Sequence, residues 1–343
     1  MALDRRKATI LKEVVFRYIT MGAPVGSATL CESLNLGISP ATIRNELSKL
    51  EEMGYLYHPH TSAGRIPTTM GYRYYVDSLS GRTRLRKEEK EAVLALFSAK
   101  SREMERTLQE ATDLLSRLTQ SLAMVITPPL RRSTLKHVDL VPMNERVVLL
   151  VIITNTGRVE KELLEMEEPL AENLLRKAQN YLNRRLRDRN FEELERIDPG
   201  QSSLPSQVHP LLNRIHEVIK EMLTREESEG VFIMGKANLV KAHEKEDIER
   251  IEQLMEALEQ QCFILSLVRE VVSEKQLLVR IGTENLLEEL RGFSLVATPY
   301  TVGEDQLGTI GILGPVRMDY ARIIPTVDFL ARSLSKSLQM LRG

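Results

Sequence analysis

The sequence predicts an α+β protein with a winged helix-turn-helix at its N-terminus, and three observations support that expectation. Short amphipathic helices separated by tight turns, then a glycine-tipped hairpin pattern, fill roughly the first eighty residues. Cationic side chains gather at the same end. Through Lys87 there are thirteen Lys and Arg against seven Asp and Glu; the chain as a whole has a net charge of −1, so the remainder carries −7. A basic module on an acidic body is the pattern of nucleic-acid affinity confined to one end. Beyond that module, β-rich stretches flank a helical block, the order expected of one α+β domain interrupted by an insertion. At 343 residues the chain exceeds what one core usually organises, so two or three domains are expected.

Within the module, Ile10, Leu11, Val14, Val15, Tyr18 and Ile19 draw one apolar stripe along a helix from Arg5 to Met21, which Gly22 ends. A second helix spans about Ser27 to Leu34, capped by Ser27, and Asn35-Leu36-Gly37-Ile38 supplies a turn. The third begins at Ser39-Pro40, a side-chain acceptor followed by a proline whose missing N–H costs nothing at the first helical position. Ile43, Leu47, Leu50 and Met53 mark its buried side. Ala41, Thr42, Arg44, Asn45, Ser48 and Lys49 form the other side, with Ser39 at its start. Arg can grip guanine in bidentate fashion, Asn can do so for adenine, and Ala or Thr can meet a thymine methyl, so this face suits the major groove. Tyr55 to Thr68 alternates apolar and polar residues around a small tip and is expected to be the wing. His58, His60, Thr61, Ser62 and Arg65 are its candidates for phosphate or minor-groove contact. His58-Pro59-His60 lacks the further ligands a metal site needs.

After the module, residues 81–89 are a basic linker whose cations either touch phosphate or are simply solvated. One long amphipathic helix is expected from Lys90 to Leu122, carrying Phe97, Met104, Leu108, Ala111, Leu115 and Leu118. Strands are expected at Leu122–Ile126, Thr134–Pro142, Glu145–Ile153 and Val159–Met166. Helices follow at about Pro169–Leu186, His209–Glu226 and Glu246–Gln261, then strands at Gln276–Ile281, Phe293–Tyr300 and Gln306–Leu313. A closing helix aligns Ile323, Val327, Leu330, Leu334, Leu338 and Leu341. The long apolar faces of the Lys90 helix and the closing helix suit either contacts within the chain or a subunit interface.

With 42% hydrophobic and 28% charged residues, the composition is that of an ordinary folded protein. No apolar run is long enough to span a bilayer and no secretory signal opens the chain, so the cytoplasm is the expected compartment. Cys31 and Cys262 lie far apart in separate predicted helices and suggest no disulfide framework. Gly308, Gly311 and Gly314 lack the Lys-Ser/Thr pair of a phosphate loop and alternate with apolar residues as a strand does. His137, His209, His216 and His243 are scattered, and no nucleophile motif accompanies them. No enzyme, cofactor or metal is expected.

Ser39-Pro40-Ala41-Thr42-Ile43-Arg44-Asn45-Glu46-Leu47, the continuation to Leu56, His60 through Thr68 and Gly71-Tyr72-Arg73 together resemble the HrcA heat-shock repressors of bacteria. Ile281-Gly282-Thr283-Glu284-Asn285 and Gly308 through Tyr320 resemble the same family's C-terminal half. The resemblance implies a GAF-like body with an inserted dimerisation domain. On that basis the expected division is 1–80 winged helix, 81–89 linker, 90–167 and 269–343 the two parts of the GAF-like domain, and 168–268 the insertion. It also implies a negative regulator of chaperone operons that binds double-stranded DNA at the CIRCE inverted repeat, has the chaperonin GroEL as partner, and is released by heat. A homodimer is expected on physical grounds too, since one module offers too few base contacts for operator-level specificity. The competing expectation is a ligand-gated regulator whose GAF-like domain senses a small molecule; no pocket residue can be named for it from the sequence.

Overall fold

The computed structural model describes residues 3–34, 37–60, 63–79, 85–98, 104–127, 130, 133–155, 159–191, 193, 204–242, 248–260, 263, 266–267, 271, 276–302 and 305–342. It is an α+β structure. The N-terminal part comprises α1 (Arg5–Met21), α2 (Ser27–Leu34), α3 (Pro40–Glu52), the paired strands β1 (Leu56–Tyr57) and β2 (Ile66–Pro67), and α4 (Thr69–Asp77). Local chemistry fixes these ends. Asp4 accepts a hydrogen bond from the Lys7 amide at 2.9 Å to start α1, and Gly22, at φ 71°, donates to the Tyr18 carbonyl to stop it. Ile10, Leu11, Val14 and Val15 of α1 meet Leu30, Ile43, Leu47, Leu50 and Leu56 in one buried cluster, which holds α2 and α3 in place although they are too short to be stable alone.

The rest of the chain runs α5 (Lys87–Ser98), α6 (Met104–Thr119), β3 (Leu122–Ile126), β4 (Leu135–Pro142), β5 (Val147–Thr154), β6 (Val159–Glu165), α7 (Glu172–Leu186), α8 (His209–Glu229), β7 (Val231–Met234), α9 (Lys236–Ala242), α10 (Ile248–Ala257), β8 (Leu278–Ile281), β9 (Phe293–Val302), β10 (Asp305–Pro315) and α11 (Tyr320–Arg342). An antiparallel sheet in the order β7-β3-β10-β9-β8 is its centre. Because side chains alternate along a strand, Ala123, Val125, Val296, Ile310 and Ile312 face α5, α6 and α11. Leu122, Met124, Ile126, Leu295 and Leu313 face the opposite way, onto Leu239 of α9 and Ile251 and Leu254 of α10. Both faces are therefore covered by helices. The apolar faces of α5, α6 and α11 pack against one another within the chain.

Two expectations are corrected here. The single helix from Lys90 to Leu122 is instead two, α5 and α6, which pack against each other, as one continuous helix could not; residues 99–103 lie outside those described. The expected insertion at 168–268 also does not match the division of the buried cores. Strands β4, β5 and β6 hydrogen-bond in the order β4-β5-β6, and their Val138, Leu140, Val148, Leu150, Ile152 and Leu164 pack with α7 and α8 in a separate cluster. Helix α10, expected inside the insertion, belongs to the five-stranded sheet. The separate unit leaves after β3 and returns before β7, where the Thr127 amide donates to the Gly230 carbonyl at 2.7 Å. Strand periodicity shows which side chains share a face but not which strand is the neighbour, so the sequence does not reveal that β3 belongs to a different sheet from β4, β5 and β6. Among the described residues no helix is long and apolar enough to cross a membrane, and no group of three His, Cys, Asp or Glu could hold a metal ion.

Candidate nucleic-acid interface

Helix α3 is capped at its start and anchored along its length. The Ser39 hydroxyl accepts from the Thr42 amide at 3.2 Å and lies 3.0 Å from the Thr42 hydroxyl, with Pro40 at the first helical position. Ile43, Leu47 and Leu50 are buried. Glu46 lies on the same inner side and ion-pairs with Lys7 of α1 at 3.2 Å, a tie between the two helices that the apolar pattern alone does not reveal. Ala41, Arg44, Asn45 and Lys49 are exposed and share the outer side, at helical spacings of three, one and four. Ser48 is half-buried, and its hydroxyl donates to the Arg44 carbonyl at 3.1 Å.

The hairpin is held to α3 by one carboxylate. Glu51 is 2.8 Å from His58 Nδ1 through one oxygen and 2.8 Å from Arg65 Nη2 through the other. The Arg65 side chain is only 12% exposed, and its Nη2 is a tie between the hairpin and α3. Val25 and Arg65 exchange two backbone hydrogen bonds of 2.9 Å, which brings the segment before α2 alongside β2. Gly64 permits this approach, since a Cβ there would lie 2.5 Å from the Val25 backbone.

The twelve candidates thus separate by environment. Ala41, Arg44, Asn45, Lys49 and His60 project into solvent, the Lys49 ammonium also lying 3.9 Å from Glu46; Ser39 and Thr42 are engaged in the cap, Ser48 in the helix backbone, and His58 and Arg65 with Glu51. Thr61 and Ser62, at the tip, lie outside the described residues. Glu51 is the organising residue that sequence reasoning missed. Its partners stand seven and fourteen positions away on a non-helical segment, where helical spacing rules give no signal.

Comparison with known proteins places this geometry in a family context. The family profile for the HrcA protein C terminal domain matches residues 105–324. The heat-inducible transcription repressor HrcA of Pelotomaculum thermopropionicum is 36% identical over 345 residues, covering 100% of this chain and 99% of that protein. The protein of the same name from Moorella thermoacetica is 37% identical, covering 99% of each. A crystal structure described as that of a hypothetical protein superposes with a TM-score of 0.69 at 29% identity, over 99% of both chains.

Proposed function

The chain belongs to the HrcA family of heat-inducible transcription repressors, and from that premise we propose that residues 5–77 form a winged helix-turn-helix that reads the operator of heat-shock genes. The observation that carries this reading is the outer face of α3. Its exposed residues include a guanidinium, a carboxamide and an ammonium on a helix whose inner face and first turn are fixed. Those groups match the donor and acceptor pattern of base edges and phosphates in the major groove. The β1–β2 hairpin is the wing, and Glu51 sets its angle to the reading helix.

The repressor acts as a homodimer on an inverted repeat of the CIRCE type, with the β4–β6, α7 and α8 unit as the inserted dimerisation domain and the five-stranded sheet as the GAF-like body. The chaperonin GroEL is the partner that maintains the active form, and heat releases DNA by titrating the chaperonin or by destabilising the repressor itself. Supporting this are the family membership and the need to double the base contacts of a single small module. Footprinting on the organism's chaperone promoters, with and without chaperonin and across temperature, is the test. Protection of both arms of an inverted repeat, strengthened by chaperonin, is expected; protection of one arm alone would remove the dimer. Arg44→Ala is expected to cost about 1 to 3 kcal/mol of operator binding and to relax preference at one base pair. Unchanged affinity and base preference in a gel-shift titration would remove Arg44 from the reading face.

A further inference from the structure

We infer that Arg73 and Glu284 are positioning residues, which lock the N-terminal module onto the body and so set the half-site spacing the repressor accepts; this rests on the two-headed operator reading proposed above. Three sequence motifs with no part in the reading face converge on one contact: Gly71-Tyr72-Arg73 of α4, Ile281 to Asn285 from the end of β8 onward, and Met318-Asp319-Tyr320 leading into α11. Arg73 Nε donates to Glu284 Oε1 at 2.9 Å, and Arg73 Nη2 donates both to Glu284 Oε2 and, at 2.5 Å, to the Val279 carbonyl. This is a two-pronged guanidinium–carboxylate pair, whose planar geometry fixes direction as well as distance.

The carboxylate is itself held in place. Glu284 Oε2 accepts from the Ile281 amide at 2.9 Å, and the buried Asn285 amide donates to the carbonyls of Gly282, Leu290 and Phe293 at 2.9 to 3.0 Å. Gly282 sits at φ +54°, with its Cβ position 3.0 Å from Thr69 Oγ1 of α4, so a side chain there would be strained and would press on the docked helix. Next to the ion pair, the buried rings of Tyr72 and Tyr320 lie 6.1 Å apart, and the Tyr320 hydroxyl is anchored to Ser294 and to the Val316 carbonyl, each at 2.7 Å. Apolar contact supplies adhesion and the ion pair supplies orientation.

Rigid attachment has a specific consequence for a two-headed reader. One added base pair shifts a half-site by about 3.4 Å and turns it by about a tenth of a helical turn. Heads fixed to their bodies cannot follow, so the second head loses effective concentration at a mis-spaced site; loosened heads sample more positions, bind the correct spacing less tightly and tolerate the wrong one.

The test uses the full chain with Glu284→Gln and Arg73→Gln, and Arg73→Lys as the charge-conserving variant. Binding is measured to the footprinted operator, to copies with the spacer lengthened or shortened, and to a single half-site. Each Gln variant is expected to bind the native operator about tenfold more weakly while its half-site affinity stays within about twofold. Its preference for the native spacing should shrink, with Arg73→Lys in between. Equal losses on every DNA, or an unchanged spacing preference, would overturn the inference. A second readout is the distance between spin labels at Glu32→Cys and Glu288→Cys, with Cys31 and Cys262 replaced by Ser. Glu284→Gln is expected to broaden that distance distribution, and an unchanged distribution overturns the lock. If the parent protein itself does not prefer the inverted repeat to a half-site, the two-headed reading has failed, and the label distance still decides whether the pair fixes the module.

Discussion

Glu51 joins two partners, His58 and Arg65, from a segment with little secondary structure of its own, and so adds a side-chain tie to the backbone bonds between Val25 and Arg65 and the burial of Leu56. Its carboxyl is 31% exposed while Arg65 is 12% exposed. Removing it strands a largely buried guanidinium, but solvent still reaches part of the site and reduces the penalty. Glu51→Ala is therefore expected to lower unfolding free energy by about 1 to 2 kcal/mol in urea titrations. Adding Arg65→Ala should cost little more, because the stranded charge is then gone. Additive losses would mean the two residues act independently. At this scale legibility depended on locality. Ser39 and Pro40 announce a helix start because the cap is made within three residues, whereas Glu46 with Lys7 and Glu51 with Arg65 are tertiary pairs that no local rule encodes.

At the scale of elements, the proposed reading predicts that the start of α3 matters more for DNA binding than for folding. The Ser39 hydroxyl satisfies the Thr42 amide, and the turn it stabilises carries Ala41 and Thr42, both on the proposed reading face. Ser39→Ala is expected to cost about 1 kcal/mol of stability. Its loss in operator affinity should exceed that of a control such as Ser33→Ala, which removes a hydroxyl from α2 away from the reading face. Equal affinity for the two variants would show that order in the first turn of α3 is unimportant for binding. The elements themselves were largely readable: α1, α2 and the closing helix follow an apolar period of 3.6, and β3 is a short continuous apolar run. Their partners were not. Strand β5 is apolar from Val147 to Ile153, so its sequence shows neither that Val148, Leu150 and Ile152 form the buried face nor which sheet it joins; only long-range packing decides both. The break between α5 and α6 was likewise unmarked, because no proline or glycine interrupts residues 98–104.

For the molecule as a whole, three buried phenols predict how alkali acts. Burial pushes the hydroxyls of Tyr72, Tyr300 and Tyr320 up from the ordinary value of 10.0. The unfolded chain therefore releases these protons first. Their contribution to stability is fully present below pH 10.0 and is lost as pH rises from there toward the raised folded values, by at most about 1.4 kcal/mol per pH unit for each ring. Urea midpoints should fall steeply above that pH, and Tyr300→Phe should flatten the fall; an unaltered slope would discount that ring. The division of cores yields a larger test. The β4–β6, α7 and α8 unit has its own apolar cluster, and its two ends meet at Thr127 and Gly230, beside the Ile126–Val231 pair of the central sheet. Replacing residues 128–229 by a tight turn of about two to five residues should therefore join β3 to β7 as an ordinary hairpin. The shortened protein is expected to unfold cooperatively and to bind a single half-site like the parent. In sedimentation it should be monomeric, and its advantage on the inverted repeat should disappear. A folded variant that remains dimeric would move the subunit interface onto the five-stranded body, and one that loses cooperative unfolding would make the excised unit a buttress of the central sheet.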